Sequence, residues 1–479
     1  MRNKLILSVS LTLLSFSVKA ELRLPDIISD NMVLQQQTSA RIWGWSNPDD
    51  TVIVSAGWGE MLQTKSDDTG FWEIFVATPA ASEKSYSVTV SDSDSEIKLG
   101  NVLVGEVWFC SGQSNMQMPL KGYPWQPVEN SLEAIATAGN YPMIRMANVG
   151  RRRNYEPQMQ VDGKWLECNP ENAAEFSALG YFFARRLNEI LHVPVSIINC
   201  SYGGSKVEGW LPKWKLDEYP GFYVEKEKSI PDSVLRGWDR INVMYNGMIH
   251  PLSRYTIKGF AWNQGEANVG KHKDYVSHLA DMVKIWRDEW GLGELPFYSV
   301  EIPAWHYNDP DGTSAALLRE AQRESVKVIP NSKIVSTVDL IYPHEYYDIH
   351  GSKKQEIGDR LAYIALADTY RIKGIPYVYP TFKSMEINGN TAELKFSNIN
   401  KEGMTPHHEI DGFEVAGENR KFYPAKASAD RNTNFIKISC DSVDKIESVR
   451  YCFKNFAIGR LHSNWGLPLM PFRTDNWDK

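Results

Sequence analysis

Val107-Trp108-Phe109-Cys110-Ser111-Gly112-Gln113-Ser114-Asn115-Met116 is the stretch whose reading decides the fold. Val107-Trp108-Phe109, with Val102-Leu103-Val104 just before it, is almost continuously apolar. A strand wetted on one face would alternate. An unbroken apolar run predicts a strand buried on both faces, as at the centre of a parallel sheet. The run ends in small and polar residues, Ser111-Gly112-Gln113-Ser114, which predict a tight turn. Parallel α/β sheets bind ligands beyond the carboxyl ends of their strands. Ser114 is therefore the first residue to consider for chemistry.

Downstream of this stretch the pattern alternates. A helix is predicted over 178–191, with Leu179, Phe182, Phe183, Leu187 and Ile190 on one face. Strands are predicted over 195–198, 257–262, 297–302 and 333–338, and helices over 275–290, 315–328 and 354–369. Strands alternating with helices imply an α/β domain with a parallel sheet covered on both faces. Upstream, residues 21–99 read as short strands separated by turn signals such as Asn47-Pro48-Asp49-Asp50 and Asp67-Asp68-Thr69-Gly70. After Gly374 alternating β patterns return, as in Ala392-Glu393-Leu394-Lys395-Phe396. The expected organisation is a leader over 1–20, a β domain over 21–99, an α/β domain over 100–375 and a β domain over 376–479. Whether the two β segments form one sandwich or two modules stays open at this point.

The leader is read from Arg2 and Lys4, an apolar run from Leu5 to Val18, and Val18-Lys19-Ala20. This is the pattern of a secretory signal peptide, too short for a membrane span, and it predicts an exported protein, periplasmic or extracellular. No other stretch is long and apolar enough to span a membrane. Cleavage after Ala20 removes three cations and no acid, which takes the formal charge from −7 to −10. An acidic chain offers no general field for a polyanion, so nucleic acid is not an expected partner. Five cysteines make no disulfide scaffold, and none is spaced as in a zinc site. Cys440 and Cys452 flank a turn-rich segment and are the one candidate pair for a bridge. The 16 Trp and 22 Tyr are many. Rings of this kind suit a cleft where apolar faces meet polar groups, as in sugar binding, and they equally suit core packing.

Two further predicted strands end in polar groups. Asn199-Cys200-Ser201-Tyr202-Gly203-Gly204-Ser205 carries two glycines that let backbone N–H groups approach a ligand. Trp262-Asn263-Gln264-Gly265-Glu266-Ala267-Asn268 places several polar side chains around one glycine. Ser114 needs a base to act as a nucleophile. His350 in Asp348-Ile349-His350-Gly351, just before a predicted helix, has a carboxylate nearby that would orient its imidazole. The Gly-x-Ser-x-Gly elbow of α/β-hydrolases is absent, because Met116 stands at its second glycine.

Taken in order, these four blocks resemble the sialate O-acetylesterase family of SGNH hydrolases. Ser29-Asp30-Asn31-Met32-Val33-Leu34-Gln35, Tyr245-Asn246-Gly247-Met248-Ile249 and Gly466-Leu467-Pro468 with Pro471-Phe472-Arg473-Thr474-Asp475 extend the likeness over most of the chain. The resemblance implies a three-layer αβα domain flanked by β-rich, sandwich-like segments. It implies Ser114 as nucleophile, His350 as base and Asp348 as the group that orients His350, with Glu266 the rival for that place. It implies an oxyanion hole from the Ser114 and Gly204 N–H groups and the Gln264 side chain. Gln113, Asn115, Asn263 and Trp210 are candidate substrate contacts. No metal or organic cofactor is implied, and oligomeric state is left open.

The activity so implied is removal of O-acetyl groups from carbohydrates, with O-acetylated sialic acid first and acetylated xylan or xyloglucan as the alternative. A sialic acid carboxylate calls for a cation, and Arg151, Arg152, Arg153 and Arg473 are candidates. A neutral sugar calls for rings, and Trp210, Trp262 and Trp305 are candidates. A secreted carbohydrate-binding protein with an inactive hydrolase site is the alternative of another class. The presence of Ser114, Gly204, Gln264 and His350 together speaks against it.

Overall fold

The computed structural model describes residues 21–399, 403–430 and 433–477, so the leader predicted over 1–20 lies outside the described residues. Six strands come first: β1 (Val33–Gln35), β2 (Ser39–Trp45), β3 (Thr51–Ala56), β4 (Met61–Lys65), β5 (Phe71–Ala77) and β6 (Tyr86–Ser91). β2 pairs antiparallel with β5, and β3 with β4 and β6. Along β3, Val52, Val54 and Ala56 are buried while Thr51 and Ile53 face outward, as period-two burial requires.

β7 (Glu96–Gly112) belongs to both architectures. Its first residues pair antiparallel with β6, Val88 opposite Leu99. Its second half enters a parallel sheet. The strands that follow are β8 (Ile144–Asn148), β9 (Trp165–Glu167), β10 (Val195–Ser201), β11 (Gly259–Asn263), β12 (Phe297–Val300) and β13 (Ser332–Val335). Their order is β13-β12-β11-β7-β10-β8-β9. All these neighbours are parallel except β9, which runs antiparallel on β8. Residues 99 and 100, where a domain boundary is expected, therefore lie inside one continuous strand.

Both faces of this sheet are covered. Helices α1 (Ala178–Leu191) and α4 (Lys354–Ile364) pack on one face with Trp108, Ala261 and Tyr298. Helices α2 (His272–Trp290) and α3 (Ser314–Val328) cover the other with Phe109, Phe260 and Trp262. The adjacent side chains Trp108 and Phe109 thus enter different cores. This is why the run around them cannot alternate. From β7 the chain moves to β10 and β8 on one side and to β11, β12 and β13 on the other. The carboxyl ends of β10, β7 and β11 therefore frame a topological switch point, the crevice where such sheets bind ligands.

The C-terminal strands form their own sheets. Thr381–Asn388, Thr391–Ser397, Ile436–Ser439 and Lys426–Ala429 make one, and Tyr423–Pro424, Phe413–Ala416, Ser448–Tyr451 and Phe472–Arg473 another. Among the described residues no sheet mixes N-terminal and C-terminal strands. The C-terminal sheets dock on the α/β unit through polar anchors. Arg360 on α4 forks onto Asp339, which also accepts from His462. Arg473 pairs with Glu320 on α3 at 2.6 Å. All five cysteines are free and buried. The bridge considered between Cys440 and Cys452 is not formed: Cys440 follows a strand of the first C-terminal sheet and Cys452 follows one of the second.

Candidate active site

Gly112 closes β7 with φ +139°, and a Cβ there would lie 2.1 Å from the Asn263 carbonyl oxygen. Only glycine fits both the backbone and the contact. The chain then turns through Gln113 into a single helical turn, Ser114–Gln117. Ser177, the N-cap of α1, fixes this turn. Its hydroxyl donates to the Met116 carbonyl at 2.6 Å and accepts from the Gly180 N–H at 3.0 Å. Ser114 is left half-buried at the sheet's carboxyl edge, while Asn115 and Met116 are buried.

His350 reaches Ser114 from the segment before α4. Its Nε2 lies 2.8 Å from Ser114 Oγ. Its Nδ1 lies 2.5 Å from Oε1 of Gln126. Tyr123 packs edge-on against the imidazole, ring centres 5.1 Å apart. Tyr123 and Gln126 are the two ends of a tight hairpin, each N–H donating to the other's carbonyl at 3.0 Å. Pro124 and Trp125 form its tip. Burial, reinforced by the Lys354 charge, pushes the His350 imidazolium down to about 4. The ring is therefore neutral, as a base must be, over the whole physiological range.

Neither carboxylate expected to orient His350 hydrogen-bonds to it. Asp348 lies in an extended conformation (φ −103°, ψ 106°), and its backbone N–H donates to Glu345. Its carboxylate is not the partner of Nδ1, which has one hydrogen to give and gives it to Gln126. Glu266 is buried, and its Oε1 accepts from Asn115 Nδ2 at 2.5 Å. Lys354 Nζ donates to Asn115 Oδ1 at 2.7 Å. Asn115 also donates to the Ile349 carbonyl at 3.1 Å. A buried Lys354–Asn115–Glu266 chain thus lies beside the Ser114 turn. Burial pushes the Glu266 carboxyl up and the Lys354 ammonium down to about 8.

The amides expected to contact substrate brace the site instead. Gln113 is buried, and its Oε1 accepts from Gly265 N–H at 3.2 Å and Ala267 N–H at 3.4 Å. Gln117, not singled out in the sequence, accepts from Gly203 N–H at 2.9 Å. Gln264 is fully buried; its Nε2 donates to Ser205 O at 3.0 Å and Asn268 Oδ1 at 2.7 Å. Both amide hydrogens are engaged, so Gln264 has none for an oxyanion. Asn263 is buried, its Oδ1 without a partner. It lines a small enclosed space with Asn115, Gly351 and Lys354.

The Ser114 and Gly204 N–H groups are different: among the described residues neither meets a hydrogen-bond acceptor. Gly204 has φ +79°, and a Cβ there would lie 3.0 Å from the Trp238 ring. These two donors are therefore free to meet an acceptor. The described residues contain no group of three or more His, Cys, Asp or Glu side chains placed to hold a metal ion.

The surrounding rings and cations are sorted by burial. Trp210 and Trp262 are inaccessible, packed on each other with centres 5.8 Å apart, and Trp305 is half-buried. Among the exposed indoles, Trp238 lies beside Gly204 and Trp125, 97% exposed, sits on the hairpin that carries Gln126. Arg152 is held by Asp162 at 2.6 Å, Arg153 approaches Asp232 at 3.4 Å, and Arg473 is tied to Glu320. Arg151 is exposed with no carboxylate partner among the described residues, its guanidinium 5.9 Å from the Tyr202 ring.

Residues 104–367 match the model of a carbohydrate esterase family described as sialic acid-specific acetylesterase. The sialate O-acetylesterase of Homo sapiens is 26% identical over 455 residues, 88% of this chain and 83% of that protein. The Mus musculus sialate O-acetylesterase is 25% identical over 94% of both chains. A carbohydrate acetylesterase from Xanthomonas citri, known from its crystal structure, superposes with a TM-score of 0.83 at 31% identity. That match covers 95% of this chain and all of the other.

Proposed function

The chain belongs to the sialic acid-specific acetylesterase family of carbohydrate esterases, and from that premise we propose that it removes O-acetyl groups from sialic acids through a Ser114–His350 pair. The observation that carries this reading is the 2.8 Å contact between Ser114 Oγ and His350 Nε2 at the switch point of the sheet.

In this mechanism Ser114 Oγ attacks the acetyl carbonyl carbon while His350 Nε2 takes its proton. The Ser114 and Gly204 N–H groups receive the negative charge that develops on the carbonyl oxygen, and a donor of this kind contributes on the order of 3 kcal/mol. His350 returns the proton to the departing sugar oxygen. A water, deprotonated by the same nitrogen, then attacks the acetyl-serine, releasing acetate and restoring the hydroxyl. Arg151, the unpaired cation beside Tyr202, suits the carboxylate of a sialic acid.

A second reading, a neutral acetylated hemicellulose, is favoured by Trp125 and Trp238, whose accessible rings suit the apolar faces of pyranose units. Acetate release from O-acetylated sialic acids set beside acetylated xylan and xyloglucan tests both. Release only from the neutral polymers would overturn the sialic acid reading, and no release from any ester, including p-nitrophenyl acetate, would overturn the esterase assignment for Ser114. We also propose export by way of the leader in residues 1–20. A mature protein whose N-terminal sequence begins at Glu21 is the supporting result, and an uncleaved Met1 the opposing one.

A further inference from the structure

We propose that Gln126 is the positioning residue of His350, so that the base is held by a neutral side-chain amide rather than by a carboxylate. The inference rests on the reading of Ser114 and His350 given above.

Three observations carry it. The Oε1 of Gln126 lies 2.5 Å from Nδ1 of His350, on the side of the ring opposite Ser114. An amide oxygen only accepts, so Nδ1 carries the hydrogen and Nε2 presents its lone pair to the Ser114 hydroxyl. Gln126 is fixed by the hairpin of which it is one end, with both cross-strand backbone bonds to Tyr123 made. Tyr123 in turn packs on the same imidazole. The two candidate carboxylates are otherwise placed: Asp348 makes no hydrogen bond to the ring, and Glu266 accepts from Asn115 through Oε1 while its Oε2 is buried without a partner.

An amide fixes the tautomer as well as a carboxylate does, but it brings no charge to meet the imidazolium. The charged and titratable groups facing His350 bear this out. Ser114 and Tyr123 are neutral. Lys354, from the first turn of α4, is a cation that disfavours protonation. Glu266 and Glu345 act on Lys354 rather than on the ring. Asp348 is on the ring's own loop and is not bonded to it. Nothing nearby stabilises the protonated ring, so the base stays neutral well into the acid range. An esterase arranged this way retains its base where a carboxylate-held histidine would begin to protonate.

The test compares Gln126→Glu, Gln126→Leu and Asp348→Asn with the unmodified protein. The readout is acetate release from p-nitrophenyl acetate, as kcat and KM, over a full pH range. Gln126→Glu keeps the acceptor and adds a charge. It should retain activity at neutral pH and move the acid limb of kcat/KM upward, by about one to three pH units for a carboxylate in contact with the ring. Gln126→Leu keeps the bulk and loses the acceptor. It should lower kcat roughly 10- to 100-fold with KM nearly unchanged. Asp348→Asn should leave kcat and the pH profile within about two-fold of the parent, as for a surface carboxylate.

An unmoved acid limb in Gln126→Glu overturns the proposal, even if Gln126→Leu fails to fold. So does a loss of several orders of magnitude in Asp348→Asn. Ser114→Ala is assayed in parallel: full activity there would overturn the reading of the site itself, whereas an inactive Ser114→Ala beside an unchanged Gln126→Glu profile would overturn this inference alone.

Discussion

Nε2 of His350 lies 2.8 Å from Oγ of Ser114, across 236 residues of chain. Three interlocked braces set that distance. Gln113 ties the turn to the segment after β11, Gln117 ties it to the segment after β10, and Asn115 ties it to the segment carrying His350. Ser114→Ala removes only the hydroxyl from this frame. Its turnover of p-nitrophenyl acetate should fall by at least about 10⁴-fold, the scale seen when a serine nucleophile is removed, with the thermal midpoint nearly unchanged.

Burial first, and the Lys354 charge second, set how acidic the solution must become before His350 protonates. Burial lowers the His350 imidazolium to about 4, and the Lys354 charge acts in the same direction. The acid limb of kcat/KM should therefore lie near pH 4, with a plateau through neutrality. Lys354→Met removes a cation that opposes protonation, so the His350 value rises and the acid limb moves to higher pH. A limb that stays in place, or moves to lower pH, would contradict this account.

Gln264 separates bracing from catalysis. Its two amide hydrogens are given to Ser205 O and Asn268 Oδ1. Gln264→Leu leaves the Ser205 carbonyl buried and unpaired, while Asn268 Oδ1 keeps the Val207 N–H, and the orphaned carbonyl should cost the fold about 1–3 kcal/mol. Thermal and urea unfolding check this. If Gln264 were the oxyanion donor instead, the variant would keep its melting temperature and lose turnover about 10²- to 10³-fold.

Asp339 joins α4 to the C-terminal β region. Burial alone would raise its carboxyl, but hydrogen bonds from Arg360 and His462 outweigh it and hold the group at about 2. The folded value is below the unfolded one, about 3.9. The stabilisation is therefore complete above pH 4 and is lost as pH falls through about 2. Asp339→Asn leaves Arg360 buried without its charge partner and should cost about 3–5 kcal/mol, read as a lower Tm at neutral pH. The variant should lose less further stability than the parent over the acid window.

Trp125 combines 97% exposure with φ +68°. A bulky residue in the left-handed region and open to water contributes little to folding, and such positions point to function. Trp125→Ala should leave p-nitrophenyl acetate hydrolysis intact and raise KM on acetylated oligosaccharides several-fold, as loss of a stacking contact of about 0.5–1.5 kcal/mol implies. Arg151→Ala should instead weaken O-acetylated sialic acids and spare neutral esters. The two variants, assayed on the same panel, distinguish the two substrate readings.

The parallel sheet was legible because burial on both faces leaves a direct trace in composition. Val107-Trp108-Phe109 cannot alternate when Trp108 and Phe109 enter different cores. Helix α1 was legible to the residue, 178–191, because its apolar face repeats at the helical period and Ser177 caps it. The positions of Ser114 and His350 followed from strand ends and from resemblance. The side-chain partners did not. Asp348 looked like the orienting group because it is two residues from His350, yet hydrogen bonds are decided by distance in space. Gln126, 224 residues away, occupies the nitrogen. The signal for it was a turn, Gly122-Tyr123-Pro124-Trp125-Gln126-Pro127, which marks a hairpin without saying what the hairpin touches. Trp210 and Trp262 lie next to the motifs in sequence and are sealed in the core, while Trp125 and Trp238 reach solvent. Sequence alone marked most of the helices and strands of the parallel sheet and pointed to Ser114 and His350 as candidates, because local periodicity and turn chemistry act over a few residues. Only the tertiary structure decided which amides brace, which ring is accessible and what holds the base, because each of those is a contact between segments that the chain brings together only on folding.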